Sequence, residues 1–404
     1  MKRLLLGCVC FLFLFSCNED DPSDSGFKLE EHEPVAVSKT ADQKVYVHLM
    51  PWFESKETSG SGSWGIHWTM ANQNPDQLDG DRRQIASHYY PLTGPYASGD
   101  RDIIEYQLLL MKLSGIDGVL IDWPGTTDLY DYAANLANSN AIIDKLEKVG
   151  LEYAIVYEDQ NINIAYDQGV VTNKIQAAQA DVSYMAQNYF KDSNYIKVNG
   201  KPLLMVFGPQ TFTTEASWSQ ILSVASTSFI TLWHESGEAG SNATGEYAWV
   251  YSDHMNGLKN FYENNYGGLK IGSVYPGFKT FYNEGGWGGP TFSIDHNQLS
   301  TFTQTLDLAL DADLQYIQLV TWNDYGEGTM IEPTEEFGYG FLTTLQQKLG
   351  VGFGEEELKL VRQLYDLRQQ STGKEMTQQL DQVFYKLVSL RIDEAKGVID
   401  ELTQ

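Results

Sequence analysis

The chain has 404 residues and a formal net charge of −27, with 42% hydrophobic and 20% charged residues. That balance is globular, and the length accommodates one large domain or two to three ordinary ones. The acidity speaks against nucleic acid as a partner, because phosphate binding needs a basic face, and it disfavours polyanionic polymers for the same reason.

Lys2 and Arg3 precede an apolar run from Leu4 to Phe15, followed by Ser16 and Cys17. About twelve apolar residues are too few to span a bilayer but suit the core of a secretory signal. A small residue immediately before Cys resembles the lipobox of bacterial lipoproteins, which implies a lipoprotein signal peptide over residues 1–17 and lipidation of Cys17. Cys8, Cys10 and Cys17 are the chain's three cysteines, so a mature protein has none for disulfides, catalytic thiolates or Cys-bearing metal sites. Residues 18–43 open with Glu19, Asp20 and Asp21 and carry Glu30, Glu31 and Glu33. This composition cannot bury a core and reads as an acidic tether. The run after Cys17 resembles surface-export signals of Bacteroidetes lipoproteins. The expected location is therefore the outer membrane, lipid-anchored, at the cell surface or facing the periplasm.

From Lys44 onward, strand-like runs alternate with helical patterns. The runs are 45–53, 118–123, 153–159, 202–207, 229–235, 247–252, 270–275 and 316–322. Most are almost continuously apolar, as strands covered on both faces are. Ile104, Leu108 and Met111 recur at helical spacing before Gly115, and Ile142, Ile143, Leu146 and Val149 do so before Gly150. Eight such alternations predict an α/β fold, a single (β/α)8 TIM barrel over residues 44–350. The Gly-rich stretch from Ser236 to Glu246 predicts a loop in place of the fifth helix. Helices in 351–404 are expected to pack on the barrel. A long insert, Glu54 to Gly99, follows the first strand and suits a site wall.

Barrel enzymes work at the C-terminal ends of their strands. Those ends carry His48 and Trp52; Asp122 and Trp123; Tyr157 and Glu158; Tyr251; and Trp322, Asn323, Asp324 and Glu327. Tyr90 lies in the long insert, and Trp287 lies in a Gly-rich loop after the seventh strand. Aromatic rings stack on the apolar faces of sugars, while carboxylates bind hydroxyls or move protons, so this rim suits an oligo- or polysaccharide. Asp324 and Glu327 form the best catalytic pair; the other residues are candidate glycan contacts. Neither the fourth nor the seventh strand end offers a carboxylate. No dinucleotide, P-loop or nucleophile-elbow motif is present, and the seven His residues form no metal-binding spacing, so neither cofactor nor metal is expected.

The stretch Trp322-Asn323-Asp324-Tyr325-Gly326-Glu327-Gly328, followed by Ile331-Glu332-Pro333, resembles the glycoside hydrolase family 71/99-like group, above all family 99. Met50-Pro51-Trp52-Phe53, His88-Tyr89-Tyr90-Pro91-Leu92, Gly115-Ile116-Asp117-Gly118 and Ile121-Asp122-Trp123 fit the same group. The resemblance implies an endo-acting, retaining hydrolase of α-linked mannose-containing glycans. It implies that Asp324 deprotonates the sugar 2-hydroxyl, giving an epoxide-like intermediate. It also implies that Glu327 protonates the leaving oxygen and then activates water. The family has Glu where this chain has Asp324. Two other readings stay open from the residues: a surface lipoprotein that binds glycan without turnover, and a barrel hydrolase of another linkage such as an α-glucan.

Overall fold

The computed structural model describes residues 28–403 apart from residue 265. The proposed signal and Cys17 lie outside the described residues. Eight parallel strands form the barrel: β1 (Lys44–Leu49), β2 (Gly118–Trp123), β3 (Glu152–Tyr157), β4 (Lys201–Val206), β5 (Ser228–Leu232), β6 (Gly245–Tyr247), β7 (Leu269–Val274) and β8 (Tyr316–Leu319). Each pairs with its sequence neighbour, and β8 returns to β1 with Val45 opposite Ile317, which closes the ring. A closed parallel barrel is covered on both faces, inside by its own side chains and outside by helices. That is why β2 reads Gly-Val-Leu-Ile-Asp-Trp with all six residues buried.

The helices obey the expected punctuation. Helix Arg101–Leu113 starts where Asp100 accepts the backbone N–H of Asp102 and Ile103 at 2.9 and 3.0 Å, and its chain turns at Gly115 with φ +82°. Helix Tyr132–Val149 ends in the left-handed Gly150. Between β5 and β6, where a loop was expected, there are two single turns, an α-turn at Ser236–Ala239 and a 3-10 turn at Gly240–Asn242. The sixth strand sits earlier than its apolar run. It ends at Tyr247, and the chain from Ala248 leaves the sheet, carrying Trp249 to the mouth.

Three helices, Glu355–Gln370, Lys374–Val388 and Ile392–Leu402, close the chain. The first packs against Arg101–Leu113, where the buried Arg368 guanidinium meets Glu105 at 3.0 Å and Asp381 at 2.7 Å. Residues 28–43, expected to be tether, are instead an extended strap across the N-terminal pole of the barrel. Gln382 exchanges hydrogen bonds with the backbone of Glu30 at 2.8 and 2.9 Å, and Val35 N–H donates to Val388 O at 2.9 Å. Lys112 Nζ donates to Val35 O at 2.6 Å, Lys39 pairs with Asp117, and Thr40 N–H donates to Leu349 O at 2.8 Å. The strap succeeds without a core of its own because its backbone groups find partners on helix ends already present. Among the described residues no helix is long and apolar enough to cross a membrane.

Candidate active site

A cavity of about 240 Å³ opens at the C-terminal mouth. Seven of the eight strands or the loops directly after them reach it: His48 and Trp52 from β1, Asp122 from β2, Glu158 and Gln160 after β3, Phe207 after β4, Trp249 after β6, Tyr282 after β7, and Asp324 and Glu327 after β8. His67 comes in from the long insert. Four carboxylates therefore face one small space. Among the described residues, no group of three or more His, Asp or Glu could hold a metal ion.

The loop carrying Asp324 and Glu327 is fixed by its own short-range bonds. Thr321 Oγ1 accepts Asp324 N–H at 2.8 Å, and Asp324 Oδ1 accepts Glu327 N–H at 2.8 Å. Trp322 N–H donates to His48 O at 2.7 Å, tying the loop to β1. The β7 loop holds the other side, with Lys279 N–H on Glu327 O and Phe281 N–H on Gly326 O, both at 2.8 Å. Gly328 adopts φ +66°, and a Cβ there would lie 2.7 Å from Lys279 O, so only glycine permits this approach. Asp324 is thus both a turn-forming residue and a cavity wall.

Burial raises the pKa of all four carboxyls. Glu327 stands well above the ordinary range, pushed first by burial and then by the charges of Asp324 and Glu158, with a Tyr282 hydrogen bond opposing. Asp324 is raised to about 7 by burial, against the pull of the Glu327 and Gly326 backbone N–H groups. The order suits a division of labour, with Glu327 keeping its proton while Asp324 is the more readily ionised. Asp122 is also raised well above the usual value by burial and by Glu158, to which it is hydrogen-bonded, and burial raises Glu158 to about 7. This second pair lies within the same cavity. Burial drops His48 to about 3, so its imidazole is neutral, and its buried Nδ1 has no hydrogen-bond partner among the described residues.

Of the residues expected to contact glycan, His48, Trp52, Asp122 and Glu158 line the cavity together with the Asp324–Glu327 pair. Trp287 is 43% exposed, and its ring lies 5.8 Å from His67 and 6.0 Å from Tyr282, which places it at the rim. Replacing Trp287 by Ala should weaken oligosaccharide binding several-fold, the scale of one stacking contact of about 1 kcal/mol, with the melting temperature nearly unchanged. A calorimetric titration beside a melting curve checks this, and a large drop in stability would mean that Trp287 is a packing residue.

Six other expectations need correction. Trp123 and Trp322 are wholly buried among core side chains, so neither offers a face to a sugar. The buried Tyr157 donates its hydroxyl to Asp181 Oδ2 at 2.7 Å. Asn323 exchanges hydrogen bonds with Met50 N–H and C=O, both at 2.9 Å, and so clamps the loop to β1. Tyr251 accepts Trp249 N–H at 3.3 Å and packs edge-on against Trp233 outside the cavity. Tyr90 lines a different groove, described below. At Trp123, Tyr157, Trp322 and Asn323 an aromatic or amide near a strand end is turned inward, a choice that strand position alone does not reveal.

The reading missed His67, Gln160, Phe207, Trp249 and Tyr282. His67 stacks flat on Trp52 at 4.2 Å and 5°, and lies 3.3 Å from Asp131. Its placement depends on the path of a 46-residue insert. Tyr282 had a signal, being an aromatic shortly after the seventh strand.

A closed (β/α)8 barrel with carboxylates and aromatic rings gathered at its C-terminal mouth suits glycoside hydrolysis. Residues 41–238 match the model of glycosyl hydrolase family 99. The chain is a glycoside hydrolase similar to family 99 over that span, as its motifs imply. The matched span runs through β1 to β5 and ends before the Asp324–Glu327 loop. Two solved structures of the GH99 endo-α-mannosidase from Bacteroides thetaiotaomicron share the fold. One, in complex with bis-tris-propane, has 19% identity and a TM-score of 0.58, and the other has 18% and 0.59. Both cover 80% of this chain and 98% of theirs. A third, described as a glycoside hydrolase-like protein, has 12% identity and a TM-score of 0.56 and covers 80% of this chain and 97% of its own. No curated protein sequence matches the chain.

Proposed function

We propose that this glycoside hydrolase is endo-acting and retaining and cleaves an α-linked, mannose-containing glycan at the surface of a membrane to which Cys17 anchors it. The observation that carries the reading is the pairing of Asp324 and Glu327 on one rigid loop in one cavity, with Glu327 the better proton holder. The Asp324 carboxylate takes the proton of the 2-hydroxyl as O2 closes on C1 and the bond from C1 to the leaving oxygen breaks. Glu327 gives its proton to that oxygen. The resulting Glu327 carboxylate then takes a proton from water as the water oxygen attacks C1 and the C1–O2 bond opens, and Asp324 returns a proton to O2. Two inversions give net retention. Asp122 and Glu158 supply partners for the remaining hydroxyls. The endo-α-mannosidase identity of the fold neighbours supports the substrate class.

The Asp at position 324 favours a second reading, hydrolysis of another α-linkage such as that of an α-glucan. It is shorter than Glu by one bond, roughly 1.5 Å, and demands a sugar seated closer to the loop. Incubation with α-mannans, α-mannosides and α-glucans, with products followed by NMR, separates the two. Internal cleavage of an α-mannan with α-configured first products is the expected result. Cleavage of α-glucan alone would transfer the assignment, and binding without cleavage of any linkage would make the protein a glycan binder. For the anchor, Cys17→Ala should move the protein from the membrane fraction to the soluble fraction. An unchanged distribution would count against lipidation.

A further inference from the structure

A second, larger groove of about 520 Å³ lies on the far side of the β7 loop from the catalytic cavity. The separating wall is thin: consecutive residues Phe281 and Tyr282 line one space each, Phe281 the groove and Tyr282 the cavity. We infer that this groove is a distal carbohydrate-binding site that holds outlying sugar units of a polymer whose scissile region occupies the catalytic cavity. The inference rests on the glycan reading of the cavity, though not on which sugar the glycan contains.

Three features of the groove fit that ligand. First, it offers rings and donors side by side: Tyr89, Tyr90 and Phe281 beside His88, Gln73 and Arg83. That mixture suits the alternating C–H faces and hydroxyls of a sugar chain. Second, it is already held in shape. Tyr90 N–H donates to Glu336 Oε2 at 2.9 Å, and Tyr90 O accepts Glu335 N–H at 2.9 Å, so the backbone at the tyrosine is fixed to the segment after β8. Arg82 pairs with both Glu335 and Glu336 and lies 5.3 Å over the Tyr90 ring. His88 Nε2 lies 3.2 Å from Thr280 O, joining the insert to the β7 loop. Little ordering cost then remains for a ligand to meet. Third, it offers no excess of positive charge. Glu335 and Glu336 more than offset Arg82, and Asp79 accompanies Arg83 in the lining, which favours a neutral chain over an anionic one. Tyr90, expected from the sequence to touch glycan, is absent from the catalytic cavity and present here.

Two sites on either side of one loop make long chains bind better than the sum of short ones, because the second contact becomes intramolecular. The test uses the full chain as Glu327→Gln, to stop turnover, with an α-mannan polymer, an α-glucan polymer and α-mannobiose. Backbone hydrogen exchange is read separately over residues 79–92 and 321–330. The polymer that protects 321–330 should protect 79–92 as well, whereas the disaccharide should protect 321–330 alone. Adding Tyr90→Ala should lower the ratio of polymer to disaccharide affinity about 5-fold, the value of one stacked ring. If α-glucan protects both segments and α-mannan neither, the mannose assignment falls and the groove stands. If no polymer protects 79–92, or if Tyr90→Ala weakens polymer and disaccharide equally, the distal site is wrong whatever the cavity binds.

Discussion

Glu327→Gln should cut turnover by about 100-fold or more, the ordinary scale of general acid catalysis, while glycan affinity stays close to that of the parent. The substitution keeps the side-chain shape and the Glu327 backbone bonds to Asp324 and Lys279, so the loop has no reason to move. What disappears is the proton. Burial and the neighbouring carboxylates hold that proton on Glu327 well above the ordinary carboxyl range, which lets it serve as an acid at neutral pH. A substrate with an activated aryl leaving group needs less protonation, so it should recover part of the first step. Asp324→Asn should not be rescued in that way, because its assigned proton comes from the 2-hydroxyl. Full activity of Glu327→Gln on an unactivated glycan would remove Glu327 from the reaction. Rescue of both variants by the aryl substrate would show that the two roles are misassigned.

Glu332→Ala should be the most destabilising single change near the site, without touching substrate. Its buried carboxylate accepts three hydrogen bonds, from the Tyr96 hydroxyl at 2.8 Å, the Tyr325 hydroxyl at 2.9 Å and Gln107 Nε2 at 2.7 Å. Removing it strands three buried donors and leaves a cavity, a cost on the order of 3–5 kcal/mol. Denaturant unfolding measures this, and a loss below about 1 kcal/mol would mean that water or a neighbour takes over the donors. The pH dependence gives an independent check. Burial raises the Glu332 pKa from 4.5 to about 7. The folded state therefore binds this proton more tightly than the unfolded state, and the associated stability is present below 4.5 and lost as pH rises through 7. Glu332→Gln has no such proton, so the stability of the natural protein relative to this variant should fall across that window. A rise instead would mean that the three donors hold Glu332 ionised.

Strand rhythm made the barrel readable because burial on both faces leaves an unbroken apolar run, and Gly115 and Gly150 marked the helix ends. Charged groups at strand ends were readable too. Asp122, Glu158, Asp324 and Glu327 reach the cavity because a carboxylate at a barrel mouth is costly to turn into the core. Large aromatic residues carry no such restriction. Trp123 and Trp322 satisfy the core as well as a rim, and the sequence does not say which they fill. His67 and the groove around Tyr90 were harder still, because both depend on where the long insert folds back. The strap was misread because its stability comes from carbonyls and side chains of distant helices, not from its own composition.

Under the proposed anchoring at Cys17, that strap would also bias the direction in which the enzyme faces. It crosses the pole opposite the catalytic mouth, where Lys39 meets Asp117 and Thr40 meets Leu349. Between Cys17 and Lys28 there are eleven residue steps, which span at most roughly 40 Å. With an acyl group on Cys17, the bilayer would lie beneath the closed end of the barrel and the carboxylates would point outward, a barrel's length above it. Polymers arriving from the medium would meet an open mouth. Sugars attached to lipids of the same leaflet would sit under the floor, beyond the reach of Glu327 unless the whole molecule inverted on its short leash.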